Sequence, residues 1–234
     1  METVLKITDL KKKFGSCEAL RGVNMSIPPG QIVGLLGPNA SGKTTLLKIV
    51  AGLLQPTTGK IYYYKEAVPG PEARKNVGFC PDALIFPNMM RVCDAFTFFR
   101  EMYGDYSQAR ADKLMRILEL QDIQKTHINK LSKGMKERLM LGLTFSRETR
   151  LYLLDEPLDG IDPVGKMRVI DTILAMQPQG ASTLVSTHLV KDIERIFDSV
   201  HFLSKGKIVF SGACDAMREE RGQTIEQTYL EVFQ

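Results

Sequence analysis

The stretch Gly37-Pro38-Asn39-Ala40-Ser41-Gly42-Lys43-Thr44 has the spacing G-x-x-x-x-G-K-[ST]. Its flanks matter as much as its letters. "QIVGLL" before it is a short apolar run of the buried-strand type. "KTTLLKIVAGLL" after it reads as a helix, closed by "QPTTG". A strand, a glycine-rich loop and a helix N-terminus in succession form an anion cradle. Glycines let the backbone turn tightly, the loop amides point inward as donors, and the helix dipole adds positive potential. In such a cradle Lys43 reaches the β- and γ-phosphates of a nucleotide. Thr44 offers its hydroxyl to Mg²⁺, with Thr45 beside it in the first helical turn.

A second stretch supplies the complementary chemistry. In "LYLLDEP", Leu151 to Pro157, an apolar run ends in two adjacent carboxylates. A carboxylate at the end of a buried strand lies at the sheet edge where α/β ligands bind. Asp155 suits a Mg²⁺ contact, and Glu156 suits a general base acting on water. Side by side they repel, and a cation offsets that repulsion.

Outward from these two stretches the chain alternates. "TVLKITDL" and "CEALRGVNMSI" read as N-terminal strands, turned by Pro28-Pro29-Gly30, and "KIYYY" and "NVGFC" as further strands. From Arg91 the period becomes helical, with Val92, Ala95, Phe96, Phe99, Met102 and Tyr103 on one face. Leu114, Ile117, Leu118 and Gln121 indicate a second helix. "STLVS" and "SVHFLS" are short apolar strands separated by helical segments, which predicts a parallel sheet with right-handed crossovers. "KGKIVFSG" predicts a hairpin.

"LSKGMKERL", Leu131 to Leu139, begins a third helix with unusual features. Ser132 suits an N-cap, but Met135 stands where a capping box has Glu or Gln. Gly134 weakens the first turn, and Lys133 and Lys136 put positive charge where the helix dipole disfavours it. Free amides, a glycine and a hydroxyl without an acidic cap suit an anion arriving from outside.

The bulk numbers narrow the class. The chain has 234 residues, 44% hydrophobic and 25% charged, with a formal net charge of +4. That is a globular composition with one short basic block, Lys11-Lys12-Lys13, so no direct nucleic-acid partner is expected. Cys17, Cys80, Cys93 and Cys214 form no CxxC pair, and with His127, His188 and His201 they make no zinc spacing. The expectation is a reducing, cytoplasmic setting. "METVLKITDL" lacks a signal-peptide core, and no run approaches the roughly 20 apolar residues that cross a bilayer.

Taken in order, these stretches resemble the ATP-binding subunit of an ABC transporter over nearly the whole chain. Phe14 lies where that family stacks an aromatic on adenine. Gly37 to Thr44 is its phosphate loop, and Leu131-Ser132-Lys133-Gly134-Met135 occupies its signature, usually LSGGQ. Asp155 and Glu156 follow, "LDGID" resembles its D-loop, and His188 in "STHL" sits at its switch histidine. The resemblance implies an α/β fold: a P-loop NTPase, RecA-like core with an N-terminal antiparallel β subdomain and an inserted α-helical subdomain near 84–147. The whole chain, 1–234, would then be one ATPase domain. It implies ATP and Mg²⁺ as ligands and a homodimer or heterodimer of ATPase subunits. Ser132 and Gly134, with Lys133 and Met135 beside them, would face the γ-phosphate held by the other subunit. His188 would hold Glu156 and the attacking water in line. A separate transmembrane permease subunit would dock near "ALIFPNMMRV", placing this chain on the inner face of the membrane.

Two departures from the family pattern stand out. Lys133 and Met135 replace a glycine and a glutamine, and "LSKGM" resembles exporter subunits of the ABC-2 class. Asp82 occupies the slot of the family's glutamine, where it is expected to reach Mg²⁺ through a water. Hydrolysis driving export is the expected function. An importer ATPase, and a non-transport ATPase acting on nucleic acid or ribosomes, are the alternatives. Importers more often keep the glutamine and LSGGQ; the non-transport types need a coiled coil or a second ATPase domain.

Overall fold

The computed structural model describes residues 3–64, 66–67, 75, 77–84 and 86–233. The expected partner-docking segment "ALIFPNMMRV" therefore includes one residue, Ile85, that lies outside the described ones.

The chain opens with β1 (Leu5–Phe14) and β2 (Cys17–Ile27), an antiparallel pair whose turn places Gly15 at φ 55°. Then come β3 (Ile32–Leu36), helix α1 (Lys43–Val50), β4 (Thr58–Tyr63), β5 (Glu66–Ala67) and β6 (Val77–Cys80). Helices α2 (Val92–Met102), α3 (Gln108–Ile117) and α4 (Lys133–Phe145) follow before β7 (Leu151–Asp155). The chain continues through α5 (Pro163–Met176), β8 (Ser182–Thr187), α6 (Val190–Ile193), β9 (Ser199–Ser204) and β10 (Lys207–Ala213). Helices α7 (Cys214–Arg221) and α8 (Ile225–Phe233) close it.

Among the described residues the strands form two sheets. One is antiparallel, in the order β2-β1-β4-β5; the other runs β10-β9-β3-β8-β7-β6 and is parallel except for the β9–β10 pair. Every residue of β3, β7 and β8 is buried, as expected of strands covered on both faces. Their alternation sorts the core. Val33, Leu35, Leu151 and Leu153 join α1 and the antiparallel sheet in one apolar cluster. Ile32, Leu36, Tyr152 and Leu154 join Phe96, Leu114 and Leu139 of the helices in the other.

The parallel register decides where chemistry can gather. Leu36 pairs with Thr187, Asp155 with Ser186, and Cys80 with Leu154. Gly37, His188, Glu156 and Asp82 therefore all leave the sheet at one carboxyl edge, where ligands bind in open α/β sheets.

Three local expectations are corrected. Helix α1 ends at Val50, not at Leu54, because Gly52 turns left-handed (φ 69°) and its amide and that of Leu53 bond back to Ile49 and Lys48. Met102 leaves the apolar face of α2 and is 62% exposed, since the helix ends there and Tyr103 turns extended. Gln121 lies in a separate 3₁₀ turn, Gln121–Ile123. The expected hairpin forms from β9 and β10. Lys205 and Gly206 both have positive φ, which fits a type I′ turn.

Arg147 joins the helices to the sheet. It is 4% exposed, and its guanidinium holds both carboxylate oxygens of Asp105 at 2.9 Å. It also donates to the Val77 carbonyl at 2.7 Å and lies 4.0 Å from the Tyr103 ring centroid. Removing this charge strands a carboxylate and a buried carbonyl. Arg147→Met is expected to lower the unfolding free energy by about 3 kcal/mol in urea titrations. A loss below about 1 kcal/mol would show that the contact is replaceable.

Candidate functional site

The loop from Gly37 to Lys43 is shaped by close approach. A Cβ at Gly37 would strike the Leu203 carbonyl, and one at Gly42 (φ 110°) would stand 2.7 Å from the Ala19 carbonyl. Only glycine fits either position. The β9–β10 turn supports the loop from below, its Gly206 amide donating to the Ser41 carbonyl at 2.9 Å. Pro38, Asn39 and Ala40 remain exposed, Ala40 with φ 61°. Helix α1 has no side-chain cap and no acidic residue in its first turn, so its amides stay free for an anion. Thr45 is half-buried in that turn.

Lys43 is the buried charge of the site, 5% exposed. Its Nζ donates to the carbonyls of Gly37 (2.8 Å) and Pro38 (3.2 Å) and lies 3.1 Å from Glu156 Oε1. The other oxygen, Oε2, accepts from the His188 amide at 3.2 Å and sits 3.0 Å from His188 Nδ1. Glu156 thus bridges Lys43 and His188, two residues 145 positions apart in the chain. Its backbone has φ 49°, a left-handed conformation that is sterically costly for a residue with a Cβ unless surrounding bonds hold it. Three do: its amide donates to the Ser186 carbonyl and hydroxyl, both at 3.1 Å, and its carbonyl accepts from the Asp159 amide at 3.1 Å.

Asp155 is 1% exposed. Burial pushes its carboxyl above the usual range, opposed by hydrogen bonds from Ser186 and Thr44, while the charges of Asp82 and Glu156 push it further up. Ser186 Oγ donates to Oδ1 at 2.6 Å. Oδ2 is buried with no hydrogen-bond partner among the described residues. An orphaned carboxylate oxygen beside a threonine hydroxyl, with two further carboxylates near, is a donor set that suits a hard divalent cation. Asp82 is exposed and lines the same cleft as Asp155 and Glu156.

The signature segment begins α4. Ser132 caps it, its hydroxyl accepting from the Met135 amide at 3.3 Å. Gly134 has open space around its Cα, with nothing within 4 Å of a Cβ built there. Lys133 turns away from the helix start, and its Nζ meets Asp159 Oδ2 at 2.9 Å. Phe14 ends β1 with 49% of its surface exposed, and Lys12 Nζ lies 4.9 Å from its ring centroid. Its strand leads through the turn to Ala19, which abuts Gly42.

Geometry brings Lys43, Thr44, Asp155, Glu156 and His188 to one place. It also adds a residue that sequence reading passed over. Ser186 binds both carboxylate residues from inside a fully buried strand. The signal was present, since a serine in an otherwise buried strand needs a hydrogen-bond partner.

Comparison with known proteins points one way. The family described as ABC transporter matches residues 20–159. A lantibiotic transport ATP-binding protein, SrtF of Streptococcus pyogenes, is 31% identical over 212 residues, covering 91% of this chain and 92% of that protein. The bacitracin transport ATP-binding protein BcrA of Bacillus licheniformis is 29% identical over 230 residues, covering 97% and 75%. Among solved structures, an ATP-binding subunit of an ABC transporter superposes with a TM-score of 0.88 at 28% identity, covering 99% of this chain and 100% of that one.

The same cleft holds a second unusual acid. Glu137, in the second turn of α4, has Oε2 buried without a hydrogen-bond partner among the described residues. Burial pushes its carboxyl from 4.5 up to about 7; Lys133 pulls it down and Asp159 pushes it up. Between those values the folded chain keeps a proton that the unfolded chain has released. Stability therefore falls as pH rises through this window. Glu137→Gln is expected to match the parent near pH 5 and to exceed it at pH 8, by on the order of 2 kcal/mol in denaturant titrations. Equal stability at pH 8 would contradict the buried acid.

Proposed function

This chain belongs to the ABC transporter family, and from that premise we propose that the carboxyl edge of β3, β7 and β8 binds MgATP and hydrolyses it. The chain is an ATP-binding, ATP-hydrolysing subunit of such a transporter. One observation carries the assignment of residues: Glu156 joins the phosphate-loop lysine to His188.

The loop amides and Lys43 bind the β- and γ-phosphates, with Phe14 against the adenine. A γ-phosphate draws Lys43 away from Glu156, because a phosphate oxygen is a stronger partner for the ammonium than a shared carboxylate. Glu156 Oε1 is then free to accept a proton from the attacking water, while His188 holds Oε2 and so the orientation of the base. Thr44 and Asp155 would hold Mg²⁺, and Asp82 would reach it through a water. When bound, Mg²⁺ supplies the positive charge that offsets the phosphates and the neighbouring carboxylates.

The exposed start of α4 fits a phosphate presented by a second subunit. We place Ser132 and Gly134 there, with Met135 completing the turn, in a homodimer or heterodimer of ATPase subunits. No helix among the described residues is long and apolar enough to cross a membrane. The partner we propose is a separate transmembrane permease, holding this chain at the inner face. A cleft lined by Phe86, Pro87, Met90 and Phe98 beside the Asp82 loop supports docking there, and Met89 next to it is 70% exposed. Export rather than import is favoured by "LSKGM", and both named relatives are transport ATP-binding proteins.

Glu156→Gln keeps the shape and removes the base. Hydrolysis should fall by orders of magnitude and an ATP-bound dimer should accumulate in size-exclusion chromatography with MgATP. Adding Ser132→Arg should return it to monomer; a surviving dimer would sink the cross-subunit contact. Asp82 gives a separate test. Its charge repels the γ-phosphate when Mg²⁺ is withheld, so ATP affinity should depend on the metal more steeply in the parent than in Asp82→Gln. Calorimetry with and without Mg²⁺ decides, and equal dependence means that Asp82 does not sense the metal.

A further inference from the structure

Within one chain, the start of α4 is tied to the segment after Glu156. Lys133 Nζ lies 2.9 Å from Asp159 Oδ2 and 3.9 Å from Glu137 Oε1. The lysine arm passes over Gly160, which has φ 69°, and a Cβ there would collide with Nζ, Cε and Cδ. The Asp159 amide donates to the Glu156 carbonyl at 3.1 Å. At the far end Asp162 caps α5, accepting from Val164 (3.1 Å) and Gly165 (3.0 Å). The segment from Glu156 to Asp162 is thus held at both ends by its own bonds and in the middle by Lys133.

We propose that Lys133 is a positioning residue for hydrolysis: it straps the D-loop to the start of α4 in the same subunit and thereby holds Glu156 in its left-handed conformation. The inference rests on ATP hydrolysis at the Lys43–Glu156 site. It assigns Lys133 a different role from the one its place in the signature implies, since a strapped ammonium is spent on Asp159 and not on a phosphate. Both side chains are about half exposed, so the pair adds little to stability. Its effect is on geometry, since the amide of the same Asp159 holds the carbonyl of Glu156, whose φ is 49°. Gly160 is part of the device, because any side chain there would displace the arm.

The two roles for Lys133 predict opposite behaviour. For a strap, Lys133→Met and Asp159→Asn each lower the ATPase kcat by about fivefold with KM for ATP within about twofold, the effect expected of a partly exposed pair. The double variant is then no slower than the slower single one, Lys133→Arg keeps most of the rate, and the reversed pair Lys133→Asp with Asp159→Lys recovers it. For a phosphate contact, Asp159→Asn leaves kcat unchanged, Lys133→Met raises KM, and the reversed pair is the slowest of all because Asp would face the phosphate. Either that pattern or single effects that multiply overturns the strap. Thermal melting of each variant alongside separates loss of rate from loss of fold. A parent chain without ATPase activity overturns the function itself and the strap with it, whereas an active parent with additive variants overturns the strap alone.

Discussion

A buried ammonium needs negative partners, and much of this structure follows from how Lys43 finds them. At 5% exposure it cannot be left to solvent, so the loop before it bends two carbonyls inward and Glu156 approaches from another strand. The contact requires β3 and β7 to end at one level with only β8 between them, which the parallel register provides. It also requires glycine at positions 37 and 42, where neighbouring carbonyls leave no room for a side chain. On the function proposed above, a nucleotide phosphate would take the place that Glu156 now holds at Lys43.

The acidic side of the cleft is under the opposite constraint. Asp155, Glu156, Asp82 and Glu137 line one cavity, and the lysines there, Lys133 and Lys136, belong to α4. Burial raises the carboxyls of Asp155 and Glu137, with added repulsion from Asp82 and Glu156 on the first and from Asp159 on the second. Ser186 relieves part of this with one hydroxyl, donating to Asp155 and accepting from the Glu156 amide. Among the described residues Asp155 Oδ2 and Glu137 Oε2 remain without a hydrogen-bond partner, and beside Thr44 the Asp155 oxygen suits a cation.

Helices α2 to α4 carry both faces that we propose meet other chains. The buried half of α4, Leu139 to Phe145, is embedded in the core, with Phe145 stacked on Tyr152 at 4.6 Å. Its other end reaches the surface with Ser132, Lys133 and Gly134. One helix therefore joins the core beside β7 to the exposed segment around Ser132 and Lys133. The aromatic cleft near Phe86 and Phe98 opens beside the Asp82 loop, so a partner seated there would touch the segment that borders the nucleotide site.

By itself, the sequence determined which chemical groups are available and in what local setting. A glycine-rich loop between a strand and a helix, and two carboxylates at a strand end, are short-range patterns whose physics is complete within about ten residues. The hairpin at Lys205-Gly206 and the apolar strands were legible for the same reason. Only the tertiary structure decided which groups meet. Lys43, Glu156 and His188 are brought together by the order β3-β8-β7, which no local pattern encodes. The end of α1 at Val50 and the exposure of Met102 were set by a left-handed glycine and a helix terminus, each overriding an apolar periodicity that continues in the sequence. Lys133 shows the limit most directly. From its position alone it belongs to the phosphate contact, but a four-carbon arm can turn either way, and its direction was decided by an aspartate 26 residues further along the chain.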